Sequence, residues 1–169
     1  MSDVVQHAPR FSREEAEQIA RERFNIRALA ERLPSERDQN FLLAAEDGSR
    51  YVLKIANARE TFQVLDFQNK AMTHILNRKS MFTRERDPCP RVLSDVKGET
   101  IGRAVDGKGR QHYLRVLSYI EGKPLALARP HDSSLFEDLG RFFAELDLAL
   151  EDFEHPGVHR EFHWDLQHC

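Results

Sequence analysis

Two Asp-Gly turn signals constrain the fold of this chain more than any other feature of its sequence. Asp47-Gly48 and Asp106-Gly107-Lys108-Gly109 each separate two strand-like stretches, which are residues 41–45 and 51–55, and residues 100–105 and 112–120. Asp-Gly favours the tight turn of a β-hairpin, because glycine readily adopts the positive φ that such turns require. The sequence therefore predicts a sheet that is largely antiparallel.

Helical periodicity appears at three places along the chain. Ser12 and Glu15 have the spacing of a capping box, and apolar residues follow at helical intervals as far as Phe24. The helical period returns from about Glu60 and again over residues 133–153. Helices inserted between antiparallel strands indicate an α+β fold rather than a doubly wound parallel sheet.

Composition and charge narrow the class of protein. The 169 residues are 40% hydrophobic and 31% charged, which is typical of a globular chain, and the net charge of −3 argues against binding nucleic acid. The two cysteines, Cys89 and Cys169, do not suggest a disulfide framework. No apolar run approaches the ~18 residues that a membrane span needs. We expect a cytoplasmic protein without membrane or nucleic-acid partners.

Lys54 is a candidate binding residue because it interrupts an apolar strand. Side chains alternate along a strand, so Val52 and Lys54 share one face of the sheet while Leu53 and Ile55 share the other. A lysine on such a face either extends to water or binds an anion. The strand pattern alone leaves both interpretations open.

A polar segment, residues 35–40, lies between the two predicted strands that precede Lys54. Its hydroxyl, amide and backbone N–H groups are suited to binding phosphates. It contains no glycine, so it matches neither the Walker loop nor the glycine-rich loop of protein kinases. An ordinary surface turn is the alternative interpretation.

The ordered set of segments resembles the aminoglycoside phosphotransferase superfamily, which includes choline, homoserine and hydroxylysine kinases and has a protein-kinase-like fold. The resemblance rests on residues 33–41, 51–57, 113–125 and 139–146. It implies that Ser35, Asn40 and Lys54 bind the phosphates of ATP. It also implies a hinge that binds adenine, formed by Ser118, Tyr119 and Ile120.

The resemblance further implies a division of the chain. An N-terminal helical segment, residues 1–24, would precede a kinase-like N-lobe, residues 25–122, with a five-stranded antiparallel sheet and a helix. Residues 123–169 would begin a helical C-lobe, and residues 139–146 resemble its first helix. Magnesium would be bound only together with the remainder of that lobe. The resemblance thus assigns no catalytic residue and no metal ligand to this chain.

Finer similarity points to the hydroxylysine-kinase-like branch, through residues 67–72 and 162–166. Its bacterial members often continue into a class III, pyridoxal-phosphate-dependent aminotransferase, which would then be a partner within a longer chain. The implied phosphoryl acceptor is a hydroxyl group on an amino-alcohol or amino-acid-like compound. The alternative is a non-catalytic kinase-like module that contacts or regulates a larger multidomain enzyme.

Two departures from the superfamily pattern affect the expected activity. Kinases of this architecture pair the strand lysine with a glutamate on the following helix, but Gln68 and Asn69 stand there, with Glu60 nearer the helix start. His163-Trp164-Asp165 resembles the beginning of a catalytic loop but is not followed by the required Asn and second Asp. We therefore expect this chain alone to be inactive.

Four histidines near the end of the sequence raise the alternative of a metal site. His155, His159 and His163 are spaced by four residues, and His168 follows five residues later. On a helix, the four-residue spacing would place three imidazoles on one face, as a Zn²⁺ ion requires. Pro156-Gly157 disfavours a helix there, so we expect surface or packing roles instead.

Overall fold

The computed structural model describes residues 7–159, which contain three α-helices and six β-strands. The helices are α1 (Arg13–Phe24), α2 (Phe62–Asn77) and α3 (Ser133–Leu150). The strands are β1 (Ala28–Leu33), β2 (Gln39–Ala45), β3 (Arg50–Ile55), β4 (Val92–Leu93), β5 (Gly102–Val105) and β6 (Gln111–Ser118). This order of helices and antiparallel strands confirms the α+β class.

All the strands pair in one antiparallel sheet whose order is β1-β2-β3-β6, with β4 and β5 together on the far side of β6. The sheet is therefore five strands wide, but its fifth position is divided between two short strands. Five strands were predicted from the sequence, and β4 was not among them. A strand of two residues shows no alternation of polar and apolar side chains, so its sequence carries no signal.

Both Asp-Gly turns form as predicted. Gly48 has a φ of +84° between β2 and β3, and Gly109 has a φ of +76° between β5 and β6. In each turn the aspartate accepts a hydrogen bond from the N–H two residues later, at 2.8 Å for Asp47 and 2.9 Å for Asp106. These side-chain bonds fix the turns and so the register of the strands on either side.

Helix α1 covers one face of the sheet. Its predicted capping box is present, since Ser12 Oγ accepts from the Glu15 N–H at 3.1 Å and the Glu15 carboxylate accepts from the Ser12 N–H at 2.6 Å. The hydrophobic core lies between this helix and the sheet, and its buried members include Ala16, Ala20, Phe24, Leu53, Ile55, Leu114 and Val116. The side chains that alternate with these strand residues, among them Lys54, consequently face the other side.

Helix α2 lies on that other side. Its buried residues are Leu65, Asn69 and Ile75. Phe62 is 49% exposed. It is the first residue of the helix, and its ring meets the edge of Tyr113 at 6.1 Å between centroids instead of entering the core.

Helix α3 packs on α2 through one side. Phe142, Leu146 and Leu150 contact the buried cluster around Ile75, whereas Phe143 is 55% exposed. The helix ends at Leu150, three residues earlier than predicted. Although α3 has 18 residues, neither it nor another helix within residues 7–159 is apolar enough to cross a membrane.

Candidate functional site

Three polar side chains form a row across the face of the sheet opposite α1. Asn40 of β2 lies opposite Lys54 of β3, and Lys54 lies opposite Arg115 of β6. Directly opposite residues of an antiparallel pair have Cβ atoms about 4.5–5.5 Å apart, so these side chains are immediate neighbours. The structure brings Asn40 and Lys54 together and adds Arg115, which the sequence analysis did not single out.

Lys54 is held by a neutral partner. Its Nζ donates a hydrogen bond to Oδ1 of Asn40 at 3.2 Å, and the side chain is half-buried. Burial lowers the pKa of the Lys54 ammonium, the Asp38 carboxylate opposes this change, and the positive charge of Arg115 adds to it. No carboxylate in the described part of the chain is hydrogen-bonded to Lys54, so its charge remains available to an anion.

Gln68 and Asn69 of α2, which were considered as partners of Lys54, are hydrogen-bonded to Arg115 instead. Its Nη1 donates to Oδ1 of Asn69 at 2.6 Å, its Nη2 donates to Oε1 of Gln68, and the residue is only 5% exposed. Glu60, the other candidate, accepts a hydrogen bond from the Thr61 N–H at 3.2 Å. Among residues 7–159, therefore, neither Asn69 nor Glu60 binds the lysine. The helix amides bind the neighbouring arginine.

The turn between β1 and β2 is pinned to the end of β3. The N–H of Asn57 donates to Oδ1 of Asp38 at 3.0 Å, and its Nδ2 donates to the carbonyl of Arg37 at 3.3 Å. Asn57, which follows β3, is 1% exposed, whereas Ser35, in the turn itself, is exposed. Among the described residues, Ser35 forms no hydrogen bond with Lys54 or Asn40. Ser35 is thus placed in the same turn as Asp38 but apart from the row.

Gln39, at the start of β2, and Arg37, in the turn, carry further polar groups. Gln39, next to Asn40, is held on the opposite face of the sheet by exchanging two hydrogen bonds with the Phe11 backbone, at 2.8 and 2.9 Å. In residues 7–159, Nε of Arg37 is the one buried side-chain nitrogen or oxygen without a hydrogen-bond partner. Buried donors are normally paired with protein, water or a ligand. Gln39 is thus fixed by two hydrogen bonds, whereas the Nε–H of Arg37 has no acceptor in the described residues.

The predicted hinge follows the end of β6. This strand ends at Ser118, whose N–H donates to the Arg91 carbonyl at 2.8 Å, and the next N–H, that of Tyr119, donates to the Arg50 carbonyl at 3.1 Å. Ile120 lies beyond these bonds and is 43% exposed. Of the three predicted hinge residues, only Ile120 has a backbone N–H with no acceptor in the described region. The strand was predicted to continue to Ile120, but its pairing stops two residues earlier.

Arg50, the first residue of β3, contacts Tyr119 and Glu121 at the hinge. Its guanidinium carbon lies 4.6 Å from the centroid of the Tyr119 ring and its Nη2 forms an ion pair with Glu121. A cation over an aromatic ring is attracted by the negative face of the ring. These contacts hold the backbone on both sides of Ile120.

The histidine-rich segment serves packing as far as the structure describes it. His155 Nε2 lies 3.0 Å from Oδ2 of Asp66, and its Nδ1 accepts from the Gly157 N–H at 2.9 Å. His163, Trp164, Asp165 and His168 lie outside the described residues. Within residues 7–159, no three His, Cys, Asp or Glu side chains converge as metal ligands.

Comparison of the sequence with known proteins gives matches over most of the chain. Residues 30–168 match the model of the family described as "Phosphotransferase enzyme family". The chain is 34% identical over 152 residues to hydroxylysine kinase of Mus musculus, covering 80% of this chain and 38% of that protein. It is 30% identical over 167 residues to hydroxylysine kinase of Danio rerio, covering 94% and 45%. The chain thus spans less than half the length of these curated relatives.

Solved structures share the fold. An amicoumacin kinase in complex with AMP-PNP, Ca²⁺ and Ami superposes with a TM-score of 0.72 at 16% identity, covering 99% of this chain and 48% of that one. A microcompartment-associated aminopropanol kinase gives a TM-score of 0.61 at 16% identity, covering 91% and 45%. These similarities confirm the predicted kinase-like fold.

Proposed function

This chain belongs to the phosphotransferase enzyme family, and from that premise we propose that it forms the ATP-binding lobe of a small-molecule kinase. The row of Asn40, Lys54 and Arg115 carries the proposal. It places two cations next to each other on the sheet face opposite α1, and their hydrogen-bond partners are neutral amides. A polyphosphate is the kind of ligand whose charge such a site can balance.

In this proposal the phosphates bind at Lys54. Its ammonium group has three N–H donors, and the hydrogen bond to Asn40 occupies one of them. The turn before Asn40 supplies further donors, among them the Ser35 hydroxyl and the unpaired Nε of Arg37. Asn57 anchors this turn through the Asp38 carboxylate and the Arg37 carbonyl.

We propose that the adenine ring binds at the hinge formed by Ser118, Tyr119 and Ile120. The N–H groups of Ser118 and Tyr119 already donate within the protein, so Ile120 is the residue assigned to donate to the ring. The other two residues then act by holding the backbone. The hinge follows β6, the strand that carries Arg115, so one strand connects the proposed adenine and phosphate positions.

The reaction proposed for the whole protein is transfer of a phosphoryl group from ATP to a hydroxyl of an amino-alcohol or amino-acid-like compound. Relatives named hydroxylysine kinase and a structural neighbour named aminopropanol kinase support this class of acceptor. Residues 25–122 would bind ATP, after the segment 1–24, and residues 123–169 would begin the helical lobe. We further propose that phosphoryl transfer requires more of that lobe, so that the chain alone is inactive. We also propose that the protein is cytoplasmic.

One observation favours a second candidate, a non-catalytic kinase-like module, for which an attached aminotransferase domain would be one setting. The helix amides of Gln68 and Asn69 bind Arg115, and no carboxylate among the described residues binds Lys54. A lysine without its carboxylate partner is oriented less firmly on the phosphates of a bound nucleotide. This candidate predicts weak or absent ATP binding.

A thermal-shift titration with ATP separates the two candidates. An ATP-binding lobe should gain melting temperature steadily as the ATP concentration rises. Lys54→Ala should remove most of this gain, whereas Lys108→Ala, at an exposed turn residue, should retain it. If the wild-type chain shows no shift up to millimolar ATP, the nucleotide-binding proposal is wrong and the non-catalytic module is favoured.

A further inference from the structure

Lys54 and Arg115 place two positive charges side by side on the sheet. They lie directly opposite each other on β3 and β6, and like charges in such positions destabilise a sheet. Both side chains are withdrawn from water, Arg115 almost completely, so solvent screens their repulsion only partly.

The surrounding groups reduce this charge only from a distance. Asp38 acts on both cations and Glu60 acts on Arg115, but neither carboxylate is hydrogen-bonded to them in the described residues. Asp38 accepts from the Asn57 N–H, and Glu60 accepts from the Thr61 N–H. The groups that do touch the two cations are the uncharged amides of Asn40, Gln68 and Asn69.

A purely structural link between β6 and α2 would be stronger with a carboxylate on the helix, because charge-assisted hydrogen bonds are about twice as strong as neutral ones. The chain has amides at both positions that reach Arg115. Amides keep the guanidinium in position without a hydrogen-bonded carboxylate, so only Asp38 and Glu60 reduce its charge, from a distance. The combination fixes a second positive charge beside Lys54.

We propose that Arg115 is a positioning residue that sets the local charge of the phosphate site and thereby selects triphosphates over monophosphates. The inference rests on the proposed function. Arg115 itself need not touch the ligand, because it acts by raising the positive potential at Lys54. Each additional phosphate charge of a nucleotide gains from this potential, so the gain is larger for ATP than for AMP.

The test compares the affinities of ATP and AMP in the wild-type chain and in two variants. Arg115→Gln removes the charge, and the expected result is a loss of ATP affinity of about tenfold with a loss of AMP affinity of at most about threefold. Arg115→Lys keeps the charge and should keep most of the preference for ATP. Equal losses of ATP and AMP affinity in Arg115→Gln would show a merely structural role and overturn the inference.

Asn69→Asp tests the same point with Arg115 still present, which matters if Arg115→Gln does not fold. The new carboxylate would neutralise the guanidinium while strengthening the link from α2 to β6. We expect ATP affinity to fall about fivefold and the melting temperature to stay the same or rise. Unchanged ATP affinity in this variant contradicts the role assigned to Arg115.

Different results would contradict ATP binding by the chain and the role assigned to Arg115. If the wild-type chain binds no ATP, the proposed function fails and the role of Arg115 fails with it. If the wild type binds ATP and Lys54→Ala weakens binding, but Asn69→Asp and Arg115→Gln leave the ratio of ATP to AMP affinity unchanged, only the role of Arg115 is wrong.

Discussion

The carboxylate of Asp106 accepts a hydrogen bond from Nη2 of Arg110 at 2.6 Å, inside the hairpin that joins β5 to β6. The Asp106 side chain is fully buried and also lies 3.3 Å from Nε2 of His112. Burial alone would raise the pKa of Asp106, but hydrogen bonds from the Arg110 side chain and from the backbone N–H groups of Arg110 and Lys108 hold it well below the usual range. The turn therefore depends on an ionised aspartate.

Replacing Asp106 by Asn should destabilise the chain and change its response to acid. Because the folded pKa is lower than the unfolded one, the ionised carboxylate stabilises the fold above the unfolded pKa of about 3.9. This contribution is lost as the pH falls through the folded pKa. We expect Asp106→Asn to lower the free energy of unfolding by about 3 kcal/mol at pH 7, since it removes the negative charge from the buried ion pair with Arg110. The variant should also lose less stability between pH 7 and pH 2.

Urea denaturation at both pH values measures these effects. Asp47→Asn is the matched control, because Asp47 occupies the equivalent turn position before β3 but is exposed. Its effect on stability should be much smaller. Similar losses in the two variants would show that the buried charge network around Asp106 contributes nothing beyond the turn itself.

Cys89 should be an unreactive thiol. Burial, with the Asp87 carboxylate nearby, raises the pKa of Cys89 to about 11, and its Sγ donates to the Met72 carbonyl at 3.4 Å. At pH 8 the thiolate fraction is then about a hundredfold lower than for an ordinary cysteine. In a Cys169→Ser background, alkylation by iodoacetamide should be much slower in the native chain than in urea. Equal rates would contradict a half-buried, protonated thiol.

Two Gly→Ala substitutions should have opposite effects on stability. A Cβ at Gly157 would lie 2.9 Å from the Cβ of Phe67 and 3.1 Å from Nδ1 of His155, so Gly157→Ala should cost about 1–3 kcal/mol. At Gly140, in helix α3, nothing lies within 4 Å, and Gly140→Ala should stabilise by about 0.5–1 kcal/mol. Thermal denaturation measures both. A neutral Gly157→Ala would mean that the segment carrying His155 does not pack closely on α2.

The proposed adenine contact predicts a specific effect at Ile120. Ile120→Pro removes the backbone N–H and should weaken ATP binding about tenfold while leaving the binding of inorganic tripolyphosphate unchanged. Ile120→Ala keeps the N–H and serves as the control. Calorimetric titration with both ligands distinguishes a lost adenine contact from a general loss of structure. Loss of tripolyphosphate binding in Ile120→Pro would point to misfolding of the hinge.

Features that depend on neighbouring residues in the chain were predicted correctly. The two Asp-Gly turns and the capping box of Ser12 and Glu15 are examples, because their hydrogen bonds join residues no more than four positions apart. The face on which Lys54 lies also followed from the sequence, since alternation along a strand is a local property. The fold class followed from the order of these local elements.

Features that depend on register and packing were decided only by the tertiary structure. Arg115 is 61 positions from Lys54 in the chain and 46 from Asn69, and only the pairing of β3 with β6 and the placement of α2 bring the three together. The sequence pattern around Arg115 is that of a buried strand, and it contains no indication of which residues stand opposite. The same reason explains β4, which exists only because β6 offers it an edge. By itself the sequence determined the turns, the helix starts and the face of the lysine, and long-range pairing decided which charges share that face.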